Sequence, residues 1–78
     1  MKILKITKKD LDKNNFYKED GIGIYSEPKN VSVEIDRNLG RVQFKEGVYV
    51  MGDIIIEAGS SIEAGSGIEA GSGIEAGW

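Results

Sequence analysis

The sequence predicts an all-β fold: a short solenoid of six-residue repeats behind a small β-rich cap. Three observations predict it. Ile-Glu-Ala-Gly recurs four times, with Ile at 56, 62, 68 and 74, and self-similarity at a short fixed spacing marks a repeat array whose units bury their apolar faces against one another. Upstream, Val31, Val33 and Ile35 alternate with Ser32, Glu34 and Asp36, the two-residue period of a strand with one apolar face. The chain has 78 residues and neither Cys nor His, so no disulfide or thiolate- or imidazole-bound zinc can staple it. A chain this short buries only about 60% of its unfolded surface. Association is therefore the expected source of the missing stability.

The elements follow in order. Ile3, Leu4 and Ile6 in KILKIT suggest a short strand. Thr7 can cap a turn of helix reaching toward Lys13, with Asp10 at the third helical position as a capping-box partner, and Asn14-Asn15 ends it. Gly21–Tyr25 reads as a glycine-flanked strand, and Ser26–Asn30, with the single proline, as a loop. Val31–Asp36 is the clean strand. Arg37–Gly40 is a turn, and Arg41–Phe44 starts another strand. Traced backward from Ile56, the six-residue beat meets Val50 and then Phe44, which gives FKEGVY, VMGDII, IEAGSS, IEAGSG, IEAGSG, IEAGW. Residues 1–43 thus form the β-rich capping region and 44–78 the repeat array.

Neighbouring residues on a strand face opposite ways. An isolated glutamate in a dry core costs several kcal/mol, so Ile and Ala point inward and Glu outward. The expected core is Phe44, Val50, Ile56, Ile62, Ile68 and Ile74, and the outward acids are Glu57, Glu63, Glu69 and Glu75. Ser60, Ser66 and Ser72 share a position with Trp78 and belong at surface corners, where the glycines allow the bend.

With one inward aliphatic and small corner residues, these hexads resemble the parallel β-helix hexapeptide repeats, over Phe44–Trp78. The resemblance implies a left-handed triangular coil of three hexads, eighteen residues per turn. It stacks Ile56 under Ile74 and Glu57 under Glu75 at about 4.8 Å, an acidic ladder. An open last coil offers unpaired backbone groups to another chain. Homo-oligomerisation is expected through this C-terminal end, with Trp78 and Ile74 at the interface. The alternatives are a shortened chain or Trp78 folded over the coil.

The chemistry is mostly exclusion. Without His or Cys no Ser–His or Cys–His pair exists. Gly65–Gly71 lacks dinucleotide-loop spacing and a Walker lysine. Asp10/Asp12 and Glu19/Asp20 sit in polar stretches and read as solvated surface, and the Asn30-Val31-Ser32 sequon has no secretion signal before it. Hexapeptide-repeat acyltransferases depend on a histidine that this chain lacks, so their activity is not carried over. No enzyme, cofactor or metal site is expected. Nor is a membrane span expected, and the chain reads as cytoplasmic.

Charge is unevenly placed. Through Lys45 there are ten bases and seven acids, a balance of +3, and from Glu46 on six acids and no base, −6. Outward carboxylates on a rigid scaffold can mimic a phosphate array and attract a basic protein, such as a nucleic-acid-binding complex, while disfavouring nucleic acid itself. Tandem IEAG hexads also resemble small phage-borne proteins, which implies an inhibitor of host defence of the anti-CRISPR kind. The alternatives are a polymer-forming scaffold similar to bactofilins, on the Gly52-Asp53-Ile54 style of repeat, and a trimeric phage-spike β-helix.

Overall fold

The computed structural model describes residues 2–23 and 27–76. Trp78, and Ile24 and Tyr25 of the expected glycine-flanked strand, lie outside the described residues. Among the described residues eight strands dominate: β1 Lys2–Ile6, β2 Val31–Ile35, β3 Gly40–Phe44, β4 Gly47–Val50, β5 Asp53–Ile56, β6 Ser60–Ala64, β7 Gly67–Ala70 and β8 Gly73–Ala76. All are paired in parallel, β1-β2-β5-β8 in one sheet, β3-β6 in a second and β4-β7 in a third. From β2 onward the chain visits the three sheets in rotation, and every third strand returns beside its predecessor.

The interior is built from two inward residues per strand. Leu4, Val33, Ile54 and Ile74 form one column across the large sheet, and Ile6, Ile35, Ile56 and Ala76 form the next. In the smaller sheets Val42 stands beside Ile62, Phe44 beside Ala64, Val48 beside Ile68 and Val50 beside Ala70. Ile6, Val33, Ile35, Val42, Val48 and Ile54 are fully buried. Ile62, Ala64, Ile68 and Ala70 are partly buried and pack against that core, whereas Ile74 is 52% exposed. Packing thins toward β8 because Ala replaces Phe44, Val50 and Ile56 at the second inward position.

The register corrects the expected circuit of eighteen residues. Val42 and Ile62, Val48 and Ile68, and Ile54 and Ile74 are each twenty residues apart, and Val33 and Ile54 are twenty-one apart. Ile56 therefore stacks on Ala76, not on Ile74. The cause is a two-residue change of phase at one corner. Ile62, Ile68 and Ile74 are the first inward residues of their strands, but Ile56, like Phe44 and Val50, is the second. Between β5 and β6 the chain takes a wider corner, where Gly59 adopts φ 83°, a left-handed conformation that glycine enters at little cost.

That corner stacks on the one between β2 and β3. Asn38 N–H donates to the Ala58 carbonyl and Gly40 N–H to the Gly59 carbonyl, both at 3.0 Å. Ser60, expected at the surface, is 7% exposed. Its hydroxyl donates to the Asp36 carbonyl and accepts the Leu39 N–H, so burial is compensated by two backbone partners. Ser66 and Ser72 do lie exposed.

Residues before β2 make the first, irregular circuit. The expected helical turn shrinks to a 3-10 turn at Lys8–Asp10, where Thr7 N–H donates to Asp10 Oδ2 at 2.9 Å. This bond holds the Asp10 carboxyl below its ordinary range, with Lys18 adding to the effect. Phe16 and Ile22 then touch the edges of β3 and β4 through single parallel bridges to Gln43 and Val48. Asn15 fastens the loop: at φ 66°, its amide donates to the Leu39 and Arg41 carbonyls at 2.7 and 3.0 Å. The stretch read as a cap thus contributes three strands to the same sheets as the repeats.

Candidate functional site, an acidic rim around an unpaired edge

The outward positions of the last three strands carry the acids. Glu63, Glu69 and Glu75 sit mid-strand in β6, β7 and β8, and all three are exposed. The inward neighbours on either side pin these side chains outward, because alternation leaves them no other face. The three strands belong to three different sheets. The carboxylates are therefore distributed around the molecule, one per sheet, rather than stacked.

The expected ladder is absent for the same reason as the eighteen-residue circuit. Glu75 stands beside Ile55, Glu69 beside Tyr49 and Glu63 beside Gln43. Arg41 Nη1 lies 3.4 Å from Glu63 Oε2 with both side chains more than half exposed, a pair worth about 0–1 kcal/mol. Glu57 follows β5 at the wide corner and meets Glu34, not Glu75. A carboxyl–carboxyl hydrogen bond, in which protonated Glu34 donates to Glu57, and partial burial raise the Glu34 carboxyl above its ordinary range, while Lys5 opposes the shift. Lys5 Nζ lies 3.8 Å from Glu34 Oε2.

Among the described residues, β6, β7 and β8 each have a strand partner on one side only, and β8 closes the end of the four-stranded sheet. Such an edge offers a row of free N–H and C=O groups to another strand. Ile74 lies on it, half exposed. The opposite edge of that sheet is β1, where Ile3 is 59% exposed and Lys2 and Lys5 are also exposed. One edge of the sheet is thus acidic and the other basic, each with an uncovered isoleucine.

Two surface hollows flank the rim. One of about 280 Å³ is lined by Pro28, Tyr49, Met51, Glu69, Ala70 and other residues, and the second includes Phe16, Gln43, Lys45 and Glu63. Each takes one rim glutamate as part of its wall. Among the described residues, no group of three or more acids is placed to hold a metal ion, and no helix is long and apolar enough to cross a membrane.

Sequence reasoning missed Lys5 and Arg41 as partners of the outward acids and Asn15 as a tether. Arg41 could have been found once the twenty-residue register was known, since that register sets it opposite Ser61, two residues before Glu63 and on the same face; Lys5 could not, because β1 pairs with β2 at an offset of twenty-nine. Asn15 carries no such signal, because its carbonyl partners are remote in the chain. Comparison with family models, with curated proteins and with solved structures finds no match to this chain.

Proposed function

We propose that this chain is a non-enzymatic binding protein, a short parallel β-helix that associates with itself and presents an acidic rim to a basic protein. The three-sheet rotation and parallel register support the β-helix, and the hexapeptide resemblance gives it a left-handed sense. The observation that carries the binding reading is the placement of Glu63, Glu69 and Glu75 on consecutive strands, one per sheet, at the thinly packed end. The strands fix the backbone positions from which the carboxylates project, so binding orders only the side chains and not the segment that carries them. Their field steers encounter with a positively charged surface. A protein built to grip phosphates is the natural counterpart, and the rim then acts as a decoy for nucleic acid. Inhibition of a host-defence nucleic-acid-binding complex is the specific role this reading assigns.

The test is binding to purified nucleic-acid-binding proteins, CRISPR effector complexes among them, with and without competing duplex DNA. Binding should fall steeply between low and physiological salt. Replacing Glu63, Glu69 and Glu75 together by Gln should abolish it with the fold intact by circular dichroism. Equal binding by the triple variant would remove the rim from the interaction.

A further inference from the structure

We infer that the occupant of the β8 edge is the β1 edge of a second copy, joined head to tail, in parallel and in the register the sheet already uses. The inference rests on the self-association reading above and gives it a polarity. The columns of the large sheet carry the argument. Leu4, Val33, Ile54 and Ile74 are in line, as are Lys5, Glu34, Ile55 and Glu75, and Ile6, Ile35, Ile56 and Ala76. Extending each column by one strand places Ile74 on Leu4 of the next copy, Ala76 on its Ile6 and Glu75 on its Lys5. Apolar residues then meet apolar residues on the inner face, and opposite charges meet on the outer one.

The chain contains its own precedent for that last pairing. Lys5 of β1 already faces Glu34 of β2 across a parallel pair, with nitrogen and oxygen 3.8 Å apart. Glu75 would approach the same lysine from the other side. Ile74, more than half exposed, lies on the inner face of the β8 edge and is covered by this contact, while Ile3 stays on the outer face. A parallel strand also continues the direction in which β1, β2, β5 and β8 already follow one another.

The competing arrangement is a two-fold pairing of β8 with β8. It would bring two acidic rims together at strand spacing, with Glu69 and Glu75 of each copy near those of the other and no base from position 46 onward to compensate. Like charges juxtaposed across an interface oppose association. Head-to-tail contact leaves an unused edge at each end and so continues rather than closing.

Sedimentation velocity of the 78-residue chain over a concentration series at low and high salt tests this. Mass should grow without a fixed end point, and association should weaken with salt. Glu75→Lys and Lys5→Glu should each weaken association by roughly tenfold or more, and mixing the two variants should restore it. Glu75 has no ion-pair partner among the described contacts, so its replacement leaves the monomer intact. Because Lys5→Glu also removes the Lys5–Glu34 pair, Glu75→Gln provides an independent arm: it weakens a head-to-tail contact and strengthens a tail-to-tail one. A monomer at every concentration would overturn self-association altogether. A closed dimer or trimer, strengthened by salt or by Glu75→Gln, would leave self-association standing and overturn the head-to-tail register.

Discussion

Replacing Ile54 and Ile74 in turn by Ala probes the twenty-residue register and the thinning of the core together. Both residues occupy one column and are neighbours across β5 and β8, but Ile54 is fully buried and Ile74 is 52% exposed. Ile→Ala removes three carbons, worth about 2.4 kcal/mol of transfer free energy at roughly 0.8 kcal/mol each. Ile54 is enclosed by Val33 on one side and Ile74 on the other, so the gap cannot collapse freely, and the total should reach about 3–4 kcal/mol once a cavity term is added. At Ile74 about half of the transfer term applies and no closed cavity forms, giving roughly 1 kcal/mol. A chain of this length holds on the order of 4–12 kcal/mol in all, so Ile54→Ala consumes a large part of it. Urea unfolding followed by circular dichroism, at a concentration where the chain is monomeric, measures both. The double variant adds the decisive number: a coupling of about 0.5 kcal/mol or more is expected for Ile54 with Ile74. Equal costs at the two positions, or stronger coupling of Ile74 to Ile56 than to Ile54, would refute the column and restore the eighteen-residue circuit.

Three further outcomes follow from individual contacts. A Cβ on Gly71 would stand 2.5 Å from the Met51 carbonyl oxygen in the stacked backbone, so Gly71→Ala should cost about 1–3 kcal/mol by thermal or urea unfolding, whereas exposed Ser72→Ala should stay within about 0.5 kcal/mol. Asn15→Ala loses two hydrogen bonds to carbonyls and leaves a side chain at φ 66°; about 2–3 kcal/mol is expected, with Asn15→Gly milder by about 1 kcal/mol because only the backbone strain is relieved. The raised Glu34 carboxyl contributes stability that is present below its unfolded pKa and lost as pH rises through its folded one. Glu57→Gln should therefore raise the neutral-pH melting temperature, and its advantage over the parent should shrink as pH falls through the carboxylate range. An advantage independent of pH would exclude the carboxyl–carboxyl contact as its origin.

How much of this was legible depended on whether the signal was local. Strand β2 could be read residue by residue, because Val31, Val33 and Ile35 are separated by polar residues and a single face explains all three. The outward direction of the repeat glutamates was equally legible, since alternation alone decides it. The length of a circuit was not. Ile56 falls on the six-residue beat of Ile62, Ile68 and Ile74, yet the wide corner at Glu57–Ser60 shifts the phase by two, so identical residues at identical spacing occupy different positions. Counting inward pairs would have exposed the slip: Val42 with Phe44, Val48 with Val50 and Ile54 with Ile56 step by six, and the next pair, Ile62 with Ala64, steps by eight. The N-terminal circuit resisted reading because single bridges and remote side-chain contacts, Asn15 above all, replace any repeating pattern.

The same two-residue slip decides what the acids can do. A ladder of glutamates at about 4.8 Å would set like charges against each other at close to 1 kcal/mol per neighbouring pair even in water. In the eighteen-residue circuit that relation would hold for Glu57 and Glu75 alone, since successive hexads lie on different sheets. One glutamate per sheet separates them across a body of 30 × 23 × 18 Å, where salt screens charges more than about 8 Å apart, and the repulsion largely disappears. Where two carboxylates do meet, at Glu34 and Glu57, the raised pKa of Glu34 and the adjacent Lys5 record the cost and its partial relief. The three carboxylates therefore lie around the molecule and not along one side. A basic surface that engages Glu63, Glu69 and Glu75 together must surround the end of the stack, whereas one that engages a single sheet can reach only one of them.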